Sequence, residues 1–172
     1  MPASSTLPAQ TRLDHARQLL ETVCDPEIPA LTIAELGILR DLHWHETDDT
    51  LEVVITPTYS GCPAMNAIEV NIRAALQEGG FERVKVTTVL SPAWTTEWLT
   101  ESGRQKLLDF GIAPPASASL DKKALLGESK AIACPLCRST NTKMISQFGS
   151  TACKALFRCM DCLEPFDYFK CH

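Results

Sequence analysis

The chain has 172 residues, 45% of them hydrophobic and 22% charged, which suits one ordinary globular domain plus a small appendage. Its net charge of −5 is unevenly spread: residues 1–130 hold 11 Lys and Arg against 18 Asp and Glu, and residues 131–172 hold 5 against 3. A surplus of two makes no clustered basic face, so no nucleic-acid partner is expected, and no apolar run nears the roughly 18 residues of a membrane span.

Residues 1–10 read as a disordered lead with neither a basic stretch nor an apolar core, so no secretory signal is expected and the cytoplasm is the expected location. In that compartment the eight cysteines are reduced thiols and metal ligands, not a disulfide framework. Leu13, Ala16, Leu19, Leu20 and Val23 recur at helical spacing and predict a helix over about Thr11 to Val23. Pro26 and Pro29 exclude its continuation. Ile38 to Trp44 and Leu51 to Thr56 predict a strand hairpin, with Leu51, Val53 and Ile55 on one face.

A turn-rich loop over Pro57 to Cys62 then leads to Pro63, which opens a second helix at a position where its missing N–H is no loss. Met65, Ile68, Ile72 and Leu76 mark its buried stripe, and Gly79-Gly80 stops it. Val84 to Leu90 predicts a third strand. The order predicts a small α/β (α+β) domain over residues 10–112, with helices packed on a small mixed sheet. Trp94 and Trp98 read as a packing face opening a short helical stretch, broken near Gly103, that runs to about Phe110. The prolines and small residues after Gly111 predict a linker over 113–130.

Residues 131–172 carry Cys134-x-x-Cys137 and Cys159-x-x-Cys162 with 21 residues between the pairs. Each pair sets two sulfurs on one tight turn, and two turns complete the tetrahedral S4 cage of structural zinc sites. Iron takes the same ligands, and zinc is the expected ion. Lys143 to Phe148, Lys154 to Arg158 and a third stretch with Phe166, Tyr168 and Phe169 predict the strands of a C-terminal β zinc ribbon. About forty residues cannot hold a core alone, so bound metal would supply much of the folding free energy. Cys153 reads as a small buried thiol and Cys171-His172 as a loose tail, or together as a second, exchangeable metal position.

Cys62 falls at or beside the helix N-cap, where unpaired N–H groups and the positive helix end favour thiolate. Its plain reading is a small capping residue. Asp25 and Glu27 flank Pro26; they either cap a neighbouring segment or offer oxygen ligands and a proton acceptor to Cys62, if the fold joins the two loops. His43-x-His45 offers two imidazoles on one strand face and reads as a solvated pair.

Three of these segments resemble the small metal–sulfur cluster assembly domain of iron–sulfur maturation factors: Val23 to Pro29, Thr32 to Ile38 and Thr56 to Pro63. That likeness covers roughly residues 10–100. With the ribbon stretch Gly149 to Ala155 and the ending Glu164 to His172, nearly the whole chain resembles the D subunits of bacterial phenylacetyl-CoA epoxidase systems. The resemblance implies an accessory or maturation factor of phenylacetate catabolism, with the other subunits of that system as partners. It implies family roles for Asp25, Glu27 and Cys62, assigns the ribbon ligands to Cys134, Cys137, Cys159 and Cys162, and leaves Cys24 without one. The cofactors it implies are a structural zinc and a transient iron ion or iron–sulfur cluster. A thiol enzyme attacking an acyl-CoA thioester through Cys62 needs a base that no histidine obviously supplies. A ribbon-based nucleic-acid adaptor is disfavoured by the acidic balance. An exposed loop cysteine permits a homodimer without requiring one.

Overall fold

The computed structural model describes residues 8–115 and 132–170. The N-terminal lead, the linker beyond Pro115 and the tail Cys171-His172 lie outside the described residues. The chain divides into two compact units, Met1–Trp94 and Thr95–His172.

In the first unit, helix α1 (Ala9–Leu20) precedes strands β1 (Leu39–His45) and β2 (Thr50–Ile55), helix α2 (Ala64–Glu78) and strand β3 (Val84–Thr88). The sheet order is β1-β2-β3; β1 runs antiparallel to β2 and β3 runs parallel to it. A parallel partner needs a crossover, which α2 supplies. On β2 the period-two pattern holds, with Leu51, Val53 and Ile55 fully buried. Ile68, Ile72 and Leu76 of α2 are fully buried as well, in a stripe that begins at Ala64 while Met65 is half-buried. Each such side chain contributes roughly 1.5–3 kcal/mol by leaving water.

On α1 the buried positions are Arg12, Ala16 and Leu20, with Leu13 and Leu19 half-buried. Arg12 is tolerated inside because its guanidinium stacks 4.6 Å above the Trp44 ring and reaches Asp49 Oδ1 at 2.9 Å. Beyond β3, Leu90 is exposed and Trp94 turns inward, its indole Nε1 donating to the Leu36 carbonyl at 2.8 Å.

The second unit opens with a 3-10 turn (Thr96–Trp98) and helix α3 (Glu101–Asp109). The helical stretch is interrupted at Leu99-Thr100 and not near Gly103. Thr100 is extended and caps α3 by accepting the Gly103 N–H at 3.0 Å. Strand β4 (Ile112–Ala113) is followed by β5 (Thr142–Ser146), β6 (Lys154–Cys159) and β7 (Pro165–Phe169) in the sheet order β4-β7-β6-β5.

Residues 95–113 thus fall with the ribbon, whereas the sequence pattern places 95–112 in the first domain. The reason is backbone pairing: Ile112 and Ala113 run parallel to Asp167 and Tyr168 of β7. The ribbon core joins Ala113, Ile132, Ala155, Phe157, Phe166 and Tyr168 to the sulfurs of Cys134 and Cys159. Phe157 stacks on Phe166 and meets the Tyr168 ring edge-on.

Candidate functional site

Two thiol sites lie in the two units. In the ribbon, the ligand atoms of Cys134, Cys137, Cys159 and Cys162 all lie within 4.8 Å of one another. Cys134 and Cys162 sulfurs are 3.8 Å apart, and those of Cys137 and Cys159 are 3.5 Å apart. A tetrahedral ion with metal–sulfur bonds of about 2.3 Å separates its sulfurs by about 3.8 Å, so the set fits zinc.

The two turns are built alike. After each pair the chain enters the left-handed region, at Arg138 (φ 65°) and Leu163 (φ 66°). For residues other than glycine that conformation costs of order 1–3 kcal/mol and persists only where the surroundings impose it. Here the backbone does so, Cys134 N donating to Ser139 O at 2.9 Å and Cys159 N to Glu164 O at 3.0 Å. The Cys162 N–H points at Cys159 Sγ, 3.5 Å away, and lowers that thiol to about 7, while Cys137 and Cys162 are raised.

Sequence reasoning missed the groups that brace this cage. Asp161, inside the second pair, accepts from the Ser139 hydroxyl and, at 2.7 Å, from Asn141 Nδ2. The signal was present, since Ser139 and Asn141 closely follow the first pair, but nothing in spacing says that they cross to the second.

Cys153 is buried at the far end of β6 from the cage, about 20 Å along the strand, with Thr151 Oγ1 3.0 Å from its sulfur. Among the described residues, the four ribbon cysteines are the only group of three or more with metal-ligand geometry. The Cys171 and His172 half of the suggested second position lies outside the described residues. His43 and His45 are largely solvent-accessible; His45 lies 2.8 Å from Glu52 and His43 3.6 Å from Asp41.

In the first unit the acidic turn acts on the cysteine loop electrostatically, but the two do not form a metal-ligand group. Cys62 is half-buried and lies within electrostatic range of both the Glu27 and the Asp25 carboxylates. Asp25 is buried and caps its own turn, Oδ1 accepting the Glu27 N–H at 2.8 Å and the Ile28 N–H at 2.9 Å. The capping reading of Asp25 therefore holds for that oxygen. Glu27, two residues further on, is half-buried. Beside the turn, a groove of about 370 Å³ is lined by Cys24, Asp25, Pro26, Asn71, Ala75 and Glu78 among others, and Cys62 is not part of it.

The expected direction of the Cys62 titration is corrected. The helix end does act, through the Ala64 N–H, and the Tyr59 side chain adds a second hydrogen bond that favours thiolate. Burial outweighs both, and with the Glu27 and Asp25 carboxylates it pushes the thiol above its ordinary value. Sequence position revealed the helix end but not the desolvation. Tyr59 was also missed as a partner of this sulfur.

Comparison with known proteins agrees with this division. Residues 13–90 match the family model described as iron–sulfur cluster assembly protein, and residues 118–170 match that of the PaaD zinc beta ribbon domain. A chain from Escherichia coli (strain K12), named as the D subunit of a 1,2-phenylacetyl-CoA epoxidase, is 47% identical over 153 residues, covering 89% of each protein. A crystal structure of a domain of unknown function, DUF59, from Bacillus anthracis shares the first unit's fold. It has a TM-score of 0.52 and 24% identity, covering 57% of this chain and 92% of that one.

Proposed function

We propose, for a chain that belongs to the PaaD family of 1,2-phenylacetyl-CoA epoxidase systems, a non-catalytic role in maturing the metal centre of that oxygenase. Cys62 is its transfer ligand, and the ribbon is a zinc-stabilised docking module. The partners are the other subunits of the epoxidase system, met in the cytoplasm. The observation that supports this reading is the electrostatic effect of the Glu27 and Asp25 carboxylates on the Cys62 thiol, in the unit matched by the iron–sulfur assembly model.

The three groups are not drawn into a closed cage as the ribbon sulfurs are, which suits brief tenure. A soft sulfur and hard oxygens together accept iron in transit, whereas a closed four-sulfur site keeps its ion. Because burial, aided by the Glu27 and Asp25 carboxylates, raises the Cys62 thiol, a cation that binds its sulfur displaces a proton, so the arriving cation and not the helix end creates the thiolate. Asp25 Oδ1 is engaged in its turn, and Glu27 is the more solvent-accessible oxygen donor of the pair. The thiol-enzyme alternative is disfavoured by the same raised thiol, since a resting nucleophile needs the opposite shift.

The test is to replace Cys62 by Ser and purify the partner oxygenase from cells carrying the variant. The expected result is partner protein poor in iron, with one zinc still in the ribbon. Fully metallated, active partner would overturn the role.

A further inference from the structure

Along β6, Ala155, Phe157 and Cys159 point into the ribbon core, so Leu156 and Arg158 belong to the outer face of the sheet. On that face two cations stand side by side. Lys143 of β5 and Arg158 are direct register partners, and both are exposed. Like charges set directly opposite on neighbouring strands lower stability. No carboxylate among the described residues offsets them: Lys143 has no ion-pair or hydrogen-bond partner there, and Arg158 engages only Nε, on the Leu163 carbonyl at 3.1 Å. On β7, Arg158 faces the uncharged Pro165. Asp167 stands one row further on, opposite Leu156, and is already held by Ser150 Oγ at 2.9 Å and Lys154 Nζ at 3.9 Å.

An open groove of about 350 Å³ starts at Pro165, beside this pair, and is lined by Phe148, Leu156 and Phe166 among others. Gly149 lets the loop that bears Phe148 lie against the sheet, since a β-carbon there would sit 2.5 Å from Asp167 Oδ1. The Phe148 ring rests on the Lys170 ammonium, 4.4 Å from its centroid, yet stays 62% exposed. A ring braced from behind and open in front, next to unopposed cations, has the anatomy of a binding surface: an apolar anchor point with a charged rim. We propose that this face docks an acidic segment of a partner protein, whose apolar side chain enters the groove against Phe148 while adjoining carboxylates pair with Lys143 and Arg158. The two terminal nitrogens of Arg158 suit a carboxylate bidentately, and two cations are too few for a nucleic-acid face. The charge pair that opposes folding in the free chain is matched on binding. This deepens the docking role given to the ribbon and rests on it.

The full, zinc-loaded chain is titrated with each purified subunit of the epoxidase system, and the Kd is followed against salt. The expected result is one subunit whose binding weakens as salt rises. Phe148→Ala and Lys143→Glu should each raise that Kd about tenfold or more. Lys143→Glu puts a carboxylate opposite Arg158, so its urea midpoint should equal or exceed the parent's while its affinity falls. A merely structural role for Lys143 would move the two together. A Kd unchanged in either variant overturns the inference. So does a parent dimer in sedimentation that Lys143→Glu turns into a monomer, which would give the face to a second copy of the chain. Cys159→Ser, which loses the ribbon, separates the two levels. Binding that survives there, or a parent chain that binds no subunit, overturns the docking role itself. Binding lost there beside an indifferent Lys143→Glu or Phe148→Ala sinks only the choice of face.

Discussion

Asn141 Nδ2 donates to Asp161 Oδ1 at 2.7 Å, tying the strand that leaves the first cysteine pair to the turn of the second. The Met160 N–H donates back to the Asn141 carbonyl at 2.8 Å, so the link is double. Hydrogen bonds from Ser139 and Asn141 hold the Asp161 carboxyl below the usual carboxylate range, which keeps it an acceptor at any working pH. No ligand atom belongs to this pair, yet it fixes the distance between the halves of the cage. Replacing Asp161 by Ala is expected to leave one zinc bound but to speed its transfer to a chelator about 10–100-fold. Transfer at the parent rate would show that the backbone alone registers the two turns.

Removing a ligand should behave differently. Cys134 and Cys159 belong to the ribbon core, packed with Phe157 and Tyr168, so the metal and the apolar cluster form one cooperative structure. Cys159→Ser is expected to lose zinc and, with it, the near-ultraviolet signature of the Tyr168 and Phe157 environment. Metal analysis and circular dichroism measure both. A variant that keeps one zinc per chain would show that the ligands are wrongly assigned.

What was legible in the sequence follows from the range of the forces involved. The alternation of Leu51, Val53 and Ile55 and the spacing of Ile68, Ile72 and Leu76 are local periods, and the structure buries all six. The four ribbon cysteines were legible because metal geometry restricts spacing. Arg12 was not, since its burial depends on Trp44 and Asp49 in a later hairpin. Nor was the pairing of Ile112 and Ala113 with β7, a two-residue strand with no period of its own. At Cys62 the helix end could be read from Pro63, but the desolvation that outweighs it depends on how much water the folded loops exclude.

That desolvation has a measurable consequence. With the thiol raised, Cys62 is expected to react slowly with iodoacetamide at pH 7 and to gain rate only above the ordinary thiol value of 9.0. Glu27→Gln removes one of the charges that oppose the thiolate, so the rate profile should move to lower pH. The gain at fixed pH should stay below about tenfold, since burial is the larger cause and remains. Mass spectrometry of the Cys62 peptide follows the reaction without interference from the ribbon cysteines. A profile midpoint below 9.0 in the parent protein would contradict the burial argument.

Glu52 gives the opposite sign. It sits on the sheet surface between His43 of β1 and Lys85 of β3 in the strand register. Its carboxylate accepts from Thr87 Oγ1 at 2.6 Å and pairs with Lys85 Nζ at 2.9 Å and the His45 ring at 2.8 Å. Those contacts, the Thr87 hydroxyl foremost, lower it from 4.5 to about 2. A depressed folded value means that the unfolded chain binds the proton more readily. The contribution is therefore complete above about pH 4.5 and is lost as the pH falls toward 2. Glu52→Gln is expected to lose roughly 1 kcal/mol or less at pH 7, as partly solvated pairs do. Its stability should then fall less steeply than the parent's between pH 4.5 and 2, the window set by the two values. Urea midpoints taken at several pH values across that window decide the matter: parallel curves for the two proteins would mean that the carboxylate gains nothing from its neighbours in the folded state.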